Sequence, residues 1–347
     1  MCERGGTRSV NALAGSTVPQ APFDQSLYEV FRVLPKPDNA HLKSSNDDST
    51  IVPERVLSSG IFARARYFYY LPIAFLRMIV FSLARQRIRS GDIAVLRFIL
   101  LTPWFYIVGF KGSLNTPFGK TAIENRDKIR SVAYGVFKTH FSYLKEISAV
   151  IPSKSHFSTV VDVGANIGDF TMALARSSEK IVAVEPGARN FLALESNIAA
   201  NRIENVLTLN VAAHDINEDV RLVGMDSMLR IADSESGQIA KGVLLDETFC
   251  DLNLGFIDLL KLDVQGHEER VLKGMSETLK RKDVGLVVVE AHPVRGVSPT
   301  KLAATMESYG YRLVQQTEYI FGQPHLYFLP NGHSANTCSI GHQNLPS

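Results

Sequence analysis

Residues Thr159 to Thr171, TVVDVGANIGDFT, constrain the fold more than any other stretch of this 347-residue chain. Val160, Val161 and Val163 form a short β-branched run suited to a strand covered on both faces. Gly164 and Gly168 interrupt it, and Ile167, Phe170 and Leu174 then recur at helical spacing. The period therefore changes from strand to helix within one turn of chain. Such a turn is expected to present backbone N–H groups at a helix N-terminus and, through glycine, to admit a ligand close to the backbone.

A second apolar run, Lys180 to Pro186 (KIVAVEP), ends in Glu185. That carboxylate lies about twenty residues beyond the turn, the distance at which a doubly wound sheet places an acidic side chain to accept from ribose hydroxyls. Adenosine is the expected ligand. Dinucleotide folds carry G-x-G-x-x-G here, and the middle glycine admits the pyrophosphate. Asn166 stands at that position, which argues against a nicotinamide dinucleotide and for an adenosine carrier without a diphosphate.

A third landmark is Phe256 to Gly274, FIDLLKLDVQGHEERVLKG: an apolar strand, Asp263 at its carboxyl end, a glycine, and a helix with Val271, Leu272, Met275 and Leu279 on one face. Together with DVGANIGDFT and VEP, this stretch resembles the FkbM family of S-adenosylmethionine-dependent methyltransferases. The resemblance covers about Val132 to Pro330, with the motifs in the family's order. One departure is Gln265, where many members carry Glu.

The resemblance implies a class I methyltransferase fold, α/β with a doubly wound, seven-stranded, mostly parallel sheet, and S-adenosylmethionine as cofactor. It implies that Asp162 serves the donor's ammonium and Glu185 its ribose, with Gly164, Ala165, Asn166, Gly168, Thr171 and Pro186 completing the donor-binding stretches. Asn210 to Asp215, NVAAHD, falls where the third strand should border the adenine. Small Ala212 and Ala213 would let a flat base approach, and Asp215 could accept from its amino group or serve as a plain turn residue.

The rest of the chain divides by composition. Residues 1–50 are rich in Ser, Gly, Asn, Pro and Asp and lack a sustained period, which suits an unstructured segment with one short apolar element at Leu27 to Leu34. No apolar core flanked by a cleavage site marks the start as a secretory signal. Residues 51–130 form a basic, apolar, helical extension, in which Asp92 is the only acid between Arg55 and Ile123. Its apolar runs, Tyr67 to Ala84 and Ile93 to Gly109, approach bilayer length, but Arg77 and Arg97 fall near their middles and Pro72 and Pro103 interrupt them. The extension is expected not to span a membrane. It either packs on the domain or lies in a membrane interface with its arginines toward anionic headgroups. A cytoplasmic location, with peripheral membrane contact through residues 55–123 as the sharper alternative, follows. The net charge of +2 and absence of a recognised motif disfavour nucleic acid as a partner. Cys2, Cys250 and Cys338 are too few and too far apart for a metal motif or a disulfide framework.

Within the expected methyltransferase domain, 131–330, Ser131 to Phe137 has strand character and Tyr143 to Ile151 helical spacing. Asp219 to Asp246 suggests a hairpin, and His214 a surface side chain. Gly285 to Pro293 is a fifth strand, Ser298-Pro299 caps a helix, and Tyr311 to Gln315 and His325 to Leu329 pair as closing strands. The tail, 331–347, is polar.

Ligands of doubly wound sheets bind outside the strand carboxyl ends, where Asp162, Glu185, Asp263 and Glu290 are expected. Methyl transfer to an alcohol needs donor and acceptor aligned and one proton removed. Asp263, Glu290, His267 and His292 are the candidates for proton removal or acceptor hydrogen bonding, with Asp263 or His292 as base; Asp263 could instead bind the donor. Asp263 and Glu290 could hold a divalent cation, but no ligand spacing requires one and no metal is expected. The expected function is O-methylation of a sugar, glycolipid or other hydroxylated small molecule. The alternatives are a non-catalytic scaffold that uses the fold or binds a membrane surface, and a nicotinamide-dependent oxidoreductase, which Asn166 disfavours.

Overall fold

A computed structural model describes residues 90–332, apart from 125, 153, 225–227, 233 and 318–322. The expectations for 1–50, for the apolar run at 67–84 and for most of the tail lie outside the described residues.

Helix α1 (Ser90–Ile107) opens the described chain, followed by a hairpin of β1 (Gly112–Thr116) and β2 (Gly119–Ile123). The extension expected to be helical thus carries a hairpin over 112–123. Val95, Phe98 and Ile99 of α1 are buried, while Leu100, Leu101, Trp104 and Ile107 are exposed. Among the described residues no helix is long and apolar enough to cross a membrane.

Helix α2 (Arg126–Lys138) replaces the strand expected at 131–137. The β-branched residues that suggested a strand recur at helical spacing once the window is widened, with Ile129, Val132, Ala133, Val136 and Phe137 all inward. A π-helical turn (Thr139–Leu144) and α3 (Lys145–Val150) continue it.

The central sheet then begins with β3 (Phe157–Val163), α4 (Asp169–Leu174), β4 (Ser178–Val184), α5 (Ala188–Ala200) and β5 (Val206–Leu209). A small second sheet interrupts it, made of β6 (Ala212–Ala213), β7 (Asp219–Val223), β8 (Arg230–Ile231) and β9 (Gln238–Val243). After α6 (Leu245–Asp251) the main sheet resumes with β10 (Ile257–Leu262), α7 (Glu268–Gly274), α8 (Ser276–Arg281) and β11 (Val284–Glu290). Helix α9 (Pro299–Ser308), capped by Ser298, leads to β12 (Tyr311–Thr317) and β13 (His325–Pro330). The seven strands lie in the order β12-β13-β11-β10-β3-β4-β5, and β13 alone runs opposite to the rest, antiparallel to both β11 and β12. This is the expected doubly wound arrangement.

Alternation along each strand sorts residues to the two faces. Val161, Val163, Leu260, Leu262, Val287 and Val289 pack with α6 to α9. Val160, Leu259, Leu286 and Val288 face the layer of Tyr143, Ile147, Phe170 and Leu174. By the same parity Asp162, Lys261 and Glu290 point to the second face, each one pleat beyond an apolar neighbour. Every residue of β10 is buried. Leu260→Ala, at a wholly buried position, should cost about 2–5 kcal/mol in urea unfolding, whereas Leu192→Ala, 66% exposed on α5, should stay within about 0.5 kcal/mol.

Candidate active site

The glycine turn and the end of β4 form one structure. Glu185 accepts from the backbone N–H of Asn166 at 2.9 Å and of Gly187 at 2.9 Å, with the Asn190 amide at 3.4 Å. Gly164 and Ala165 both donate to the Val184 carbonyl, at 2.9 and 3.0 Å, and Gly168 donates to Ala165. Four of the turn's N–H groups are thus spent on protein acceptors, which corrects the expectation that the turn would offer them to a ligand. Asn166 adopts a left-handed φ of 52°, a conformation asparagine tolerates better than most residues. Its buried side-chain oxygen has no hydrogen-bond partner.

Gly164 itself is required by the neighbouring strand. At φ 81° a Cβ there would overlap the Asp263 carbonyl oxygen, so the glycine brings the turn against the end of β10. Gly168 lies against Leu194 of α5 in the same way. Burial pushes the Glu185 carboxyl up to about 6, against the Gly187 and Asn166 N–H groups that favour its charge.

Asp162 is not at the rim. It lies within β3, wholly buried, and accepts from the Thr171 hydroxyl at 2.7 Å and from the Lys261 ammonium at 2.9 Å. Lys261 also donates to the Gly164 carbonyl at 3.2 Å. In this arrangement Thr171 holds Asp162, and Asp162 holds the lysine beneath the turn. A lysine inside the otherwise apolar LLKLD strand was the signal for this pair, because a buried ammonium must find an anion.

Beyond β10 and β11 lies a second polar cluster. Lys138, at the end of α2, donates to Asp263 Oδ2 at 2.8 Å and is paired with Glu290 Oε2. Tyr143, from the π-helical turn, donates to the same Glu290 oxygen at 2.7 Å, and His325 Nε2 lies 3.5 Å from it. Burial alone would lower the Lys138 pKa, but Asp263 and Glu290 hold it well above the usual lysine range. Burial would likewise raise Glu290, yet Lys138, His325 and His292 hold it well below the usual carboxylate range. His292 Nδ1 is 2.7 Å from Glu268 Oε1. Its Nε2 lies 3.6 Å from Asp263 Oδ1 and 3.9 Å from Glu290 Oε1. Burial lowers the imidazole pKa, but Glu268 and Asp263 outweigh it and raise it.

Asp263, Glu290 and His292 are therefore together, as anticipated, while His267 turns away toward His214, ring centroids 5.8 Å apart. Lys138, Lys261 and Glu268 went unnoticed in the sequence. Ala212 and Ala213 are buried in the small sheet, paired with Gly242 and Val243. Asp215 is held by Arg270 at 3.2 Å and Lys273 at 2.9 Å of α7, so its carboxylate is committed to that helix. His214 is buried rather than on the surface. Pro186 is fixed through its carbonyl by Asn210 and Gln238.

A doubly wound sheet whose rim joins a glycine turn, an acid after the second strand and an acid–histidine cluster after the fourth and fifth defines a nucleoside-binding α/β domain. Residues 162–313 match the methyltransferase FkbM domain. Hexuronic acid methyltransferase AglP of Haloferax volcanii is 27% identical over 172 residues, 47% of this chain and 69% of that protein. A tRNA/tmRNA (uracil-C(5))-methyltransferase of Serratia proteamaculans is 39% identical over 66 residues, 17% of this chain. The chain spans only 18% of the length of that relative and 19% of two similar ones from Pectobacterium. Among solved structures, a SAM-dependent methyltransferase from Aquifex aeolicus is 14% identical, with a TM-score of 0.38, and the match covers 58% of this chain and 97% of that one.

S-adenosylmethionine is the expected cofactor of this domain, and the donor side of the rim fits it. Glu185 and the unpartnered Asn166 oxygen are acceptors, the chemistry that ribose hydroxyls and an ammonium require. Asp162, by contrast, has a structural role. Asp162→Ala should cost about 3–5 kcal/mol in urea unfolding by leaving Lys261 uncompensated, and adding Lys261→Met should recover most of the loss.

Proposed function

We propose that the chain is an S-adenosylmethionine-dependent O-methyltransferase whose acceptor is a hydroxyl of an acidic sugar. The observation that carries the reading is the hydrogen bond from Asn166 N–H to the Glu185 carboxylate, because it makes the glycine turn and the ribose-type acid one pocket. The family match and the similarity to a hexuronic acid methyltransferase support the chemistry.

Bound there, the donor supplies an electrophilic methyl on a sulfonium; the acceptor oxygen forms the new C–O bond as the C–S bond breaks, its electrons staying on a neutral thioether. Glu185 and Asn166 hold the donor. Asp263 takes the hydroxyl proton: its side chain is 12% exposed at the rim, while those of Glu290 and His292 are fully enclosed. His292 stands behind it as a positioning residue. Two residues past Asp263, at Gln265–Gly266, the loop bends into a depression of about 230 Å³ whose charged lining is Arg270, Arg295, Lys301 and Glu269, with Lys301 paired to Glu269. Its excess of cations, three to the one carboxylate of Glu269, suits the carboxylate of a uronic acid lying with its hydroxyl toward Asp263.

Donor affinity should depend on pH. Because burial raises Glu185 to about 6, its contribution to fold stability is greatest below the unfolded value and is lost as pH rises through 6. Binding runs the other way, since only the carboxylate accepts two ribose hydroxyls. Calorimetric affinity for S-adenosylhomocysteine should fall about tenfold between pH 7.5 and pH 5, and Glu185→Gln should bind weakly with a flat profile. A flat profile in the native protein removes Glu185 from the donor site.

Asp263→Asn should lower methyl transfer from labelled donor to hexuronate-containing glycans by about 10²–10⁴-fold, the range for loss of a proton acceptor, with donor affinity little changed. Label entering tRNA instead would overturn the acceptor class, and tight donor binding without transfer to any glycan would favour the scaffold.

A further inference from the structure

We propose that Asp263, Glu290 and His292 form a binding site for one divalent cation of the manganese–magnesium class. Their ligand atoms lie within 4.8 Å of one another. Small side-chain movements would bring all three to the distance of about 2.0–2.2 Å at which carboxylate oxygen and imidazole nitrogen bind such ions.

Three observations support it. First, the atoms facing the centre are those without other work. Lys138 and Tyr143 engage Oδ2 of Asp263 and Oε2 of Glu290, so the ammonium lies on the outer oxygens. Oε1 of Glu290 and Nε2 of His292 have no hydrogen-bond partner, although both side chains are fully buried. At 3.9 Å these two atoms are too far apart to bond each other. Oδ1 of Asp263 receives only the Gln265 amide, at 3.1 Å.

Second, the imidazole is oriented as a ligand. Glu268 Oε1 takes Nδ1 of His292 at 2.7 Å, which makes Nδ1 the protonated nitrogen and leaves the lone pair on Nε2, toward the two carboxylates. A carboxylate behind a histidine is the usual support for a metal-binding ring. Third, the site is acid-rich: Asp263, Glu290 and Glu268 bring three carboxylates, Lys138 is the ammonium in contact with two of them, and the other cationic partners are the imidazoles of His292 and His325, the first of which a divalent ion would use as a ligand. Two carboxylates with one imidazole suit Mn²⁺ or Mg²⁺ better than a thiolate-seeking metal.

Strand register explains why no sequence spacing announces the site. Asp263 and the Glu290–His292 pair end adjacent parallel strands, β10 and β11, so the sheet rather than the loop length sets their separation. In methyl transfer the ion would hold the acceptor hydroxyl and polarise it; that role rests on the function proposed above, whereas the site does not.

The full chain, stripped of metal by chelation, is titrated with Mn²⁺ by electron paramagnetic resonance, with S-adenosylhomocysteine affinity measured in parallel by calorimetry. One Mn²⁺ per chain is expected. Asp263→Asn and His292→Gln should each abolish it, and Glu268→Gln should weaken it about 10–100-fold, while donor affinity in the same samples shows that the fold is intact. No stoichiometric Mn²⁺ in the native chain, or binding undiminished in both ligand variants, overturns the site. Donor binding without Mn²⁺ leaves the methyltransferase reading standing, and Mn²⁺ binding without donor removes that reading and keeps the site.

Discussion

The Lys261 ammonium, held between Asp162 and the Gly164 carbonyl, is the constraint that the rim depends on. A lysine in a strand buried on both faces cannot remain there without an anion. Its partner must come from the adjacent strand, one pleat below the carboxyl end. The ion pair therefore ties β10 to β3 where both loops begin, and presses the Asp263 carbonyl against Gly164 so closely that no side chain fits. From that contact the donor turn lies on one side and Asp263 on the other. The separation of the two functional halves is thus fixed by backbone packing, which suits an in-line displacement better than mobile loops would.

The two halves handle buried negative charge differently. Glu185 is met by neutral amides, and burial wins, lifting it to about 6. Glu290 is met by an ammonium and imidazoles, and they win. The strength of a full charge in a poorly screened interior accounts for the contrast. Consequently Glu185 can respond to mild acid, whereas Glu290 stays ionised through the physiological range. The cost of that fixed charge is met by α2 and the π-helical turn, which deliver Lys138 and Tyr143 from outside the matched family segment. These elements complete the polar cluster as well as covering the sheet.

The main sheet was legible because strand and helix periods alternate cleanly after Thr159, and because VEP and KLD end their strands in acids. The segment at 131–137 was not: SVAYGVF is β-branched and aromatic, and its helical stripe appears only when Ile129 is included. That misreading hid Lys138, since a lysine following a strand would not have pointed at Asp263. Asp162 was misplaced by one pleat, enough to move it from solvent-facing rim to buried face. Glu268 lay in plain view in QGHEER, but its partner His292 is on another strand, and pairings set by sheet register leave no mark in local spacing.

The spent N–H groups of the glycine turn bear on what the pocket selects. A diphosphate needs donors, and here Gly164, Ala165 and Asn166 give theirs to Val184 and Glu185. The acceptors left at the turn are a carboxylate and an amide oxygen without a hydrogen-bond partner. Such a surface repels a polyanion and attracts hydroxyls and cationic centres. Asn166 in place of a glycine is therefore part of a change in polarity, from a cradle for phosphate to a seat for a ligand carrying positive charge. A sulfonium amino acid joined to a ribose has that character, and a nicotinamide dinucleotide does not.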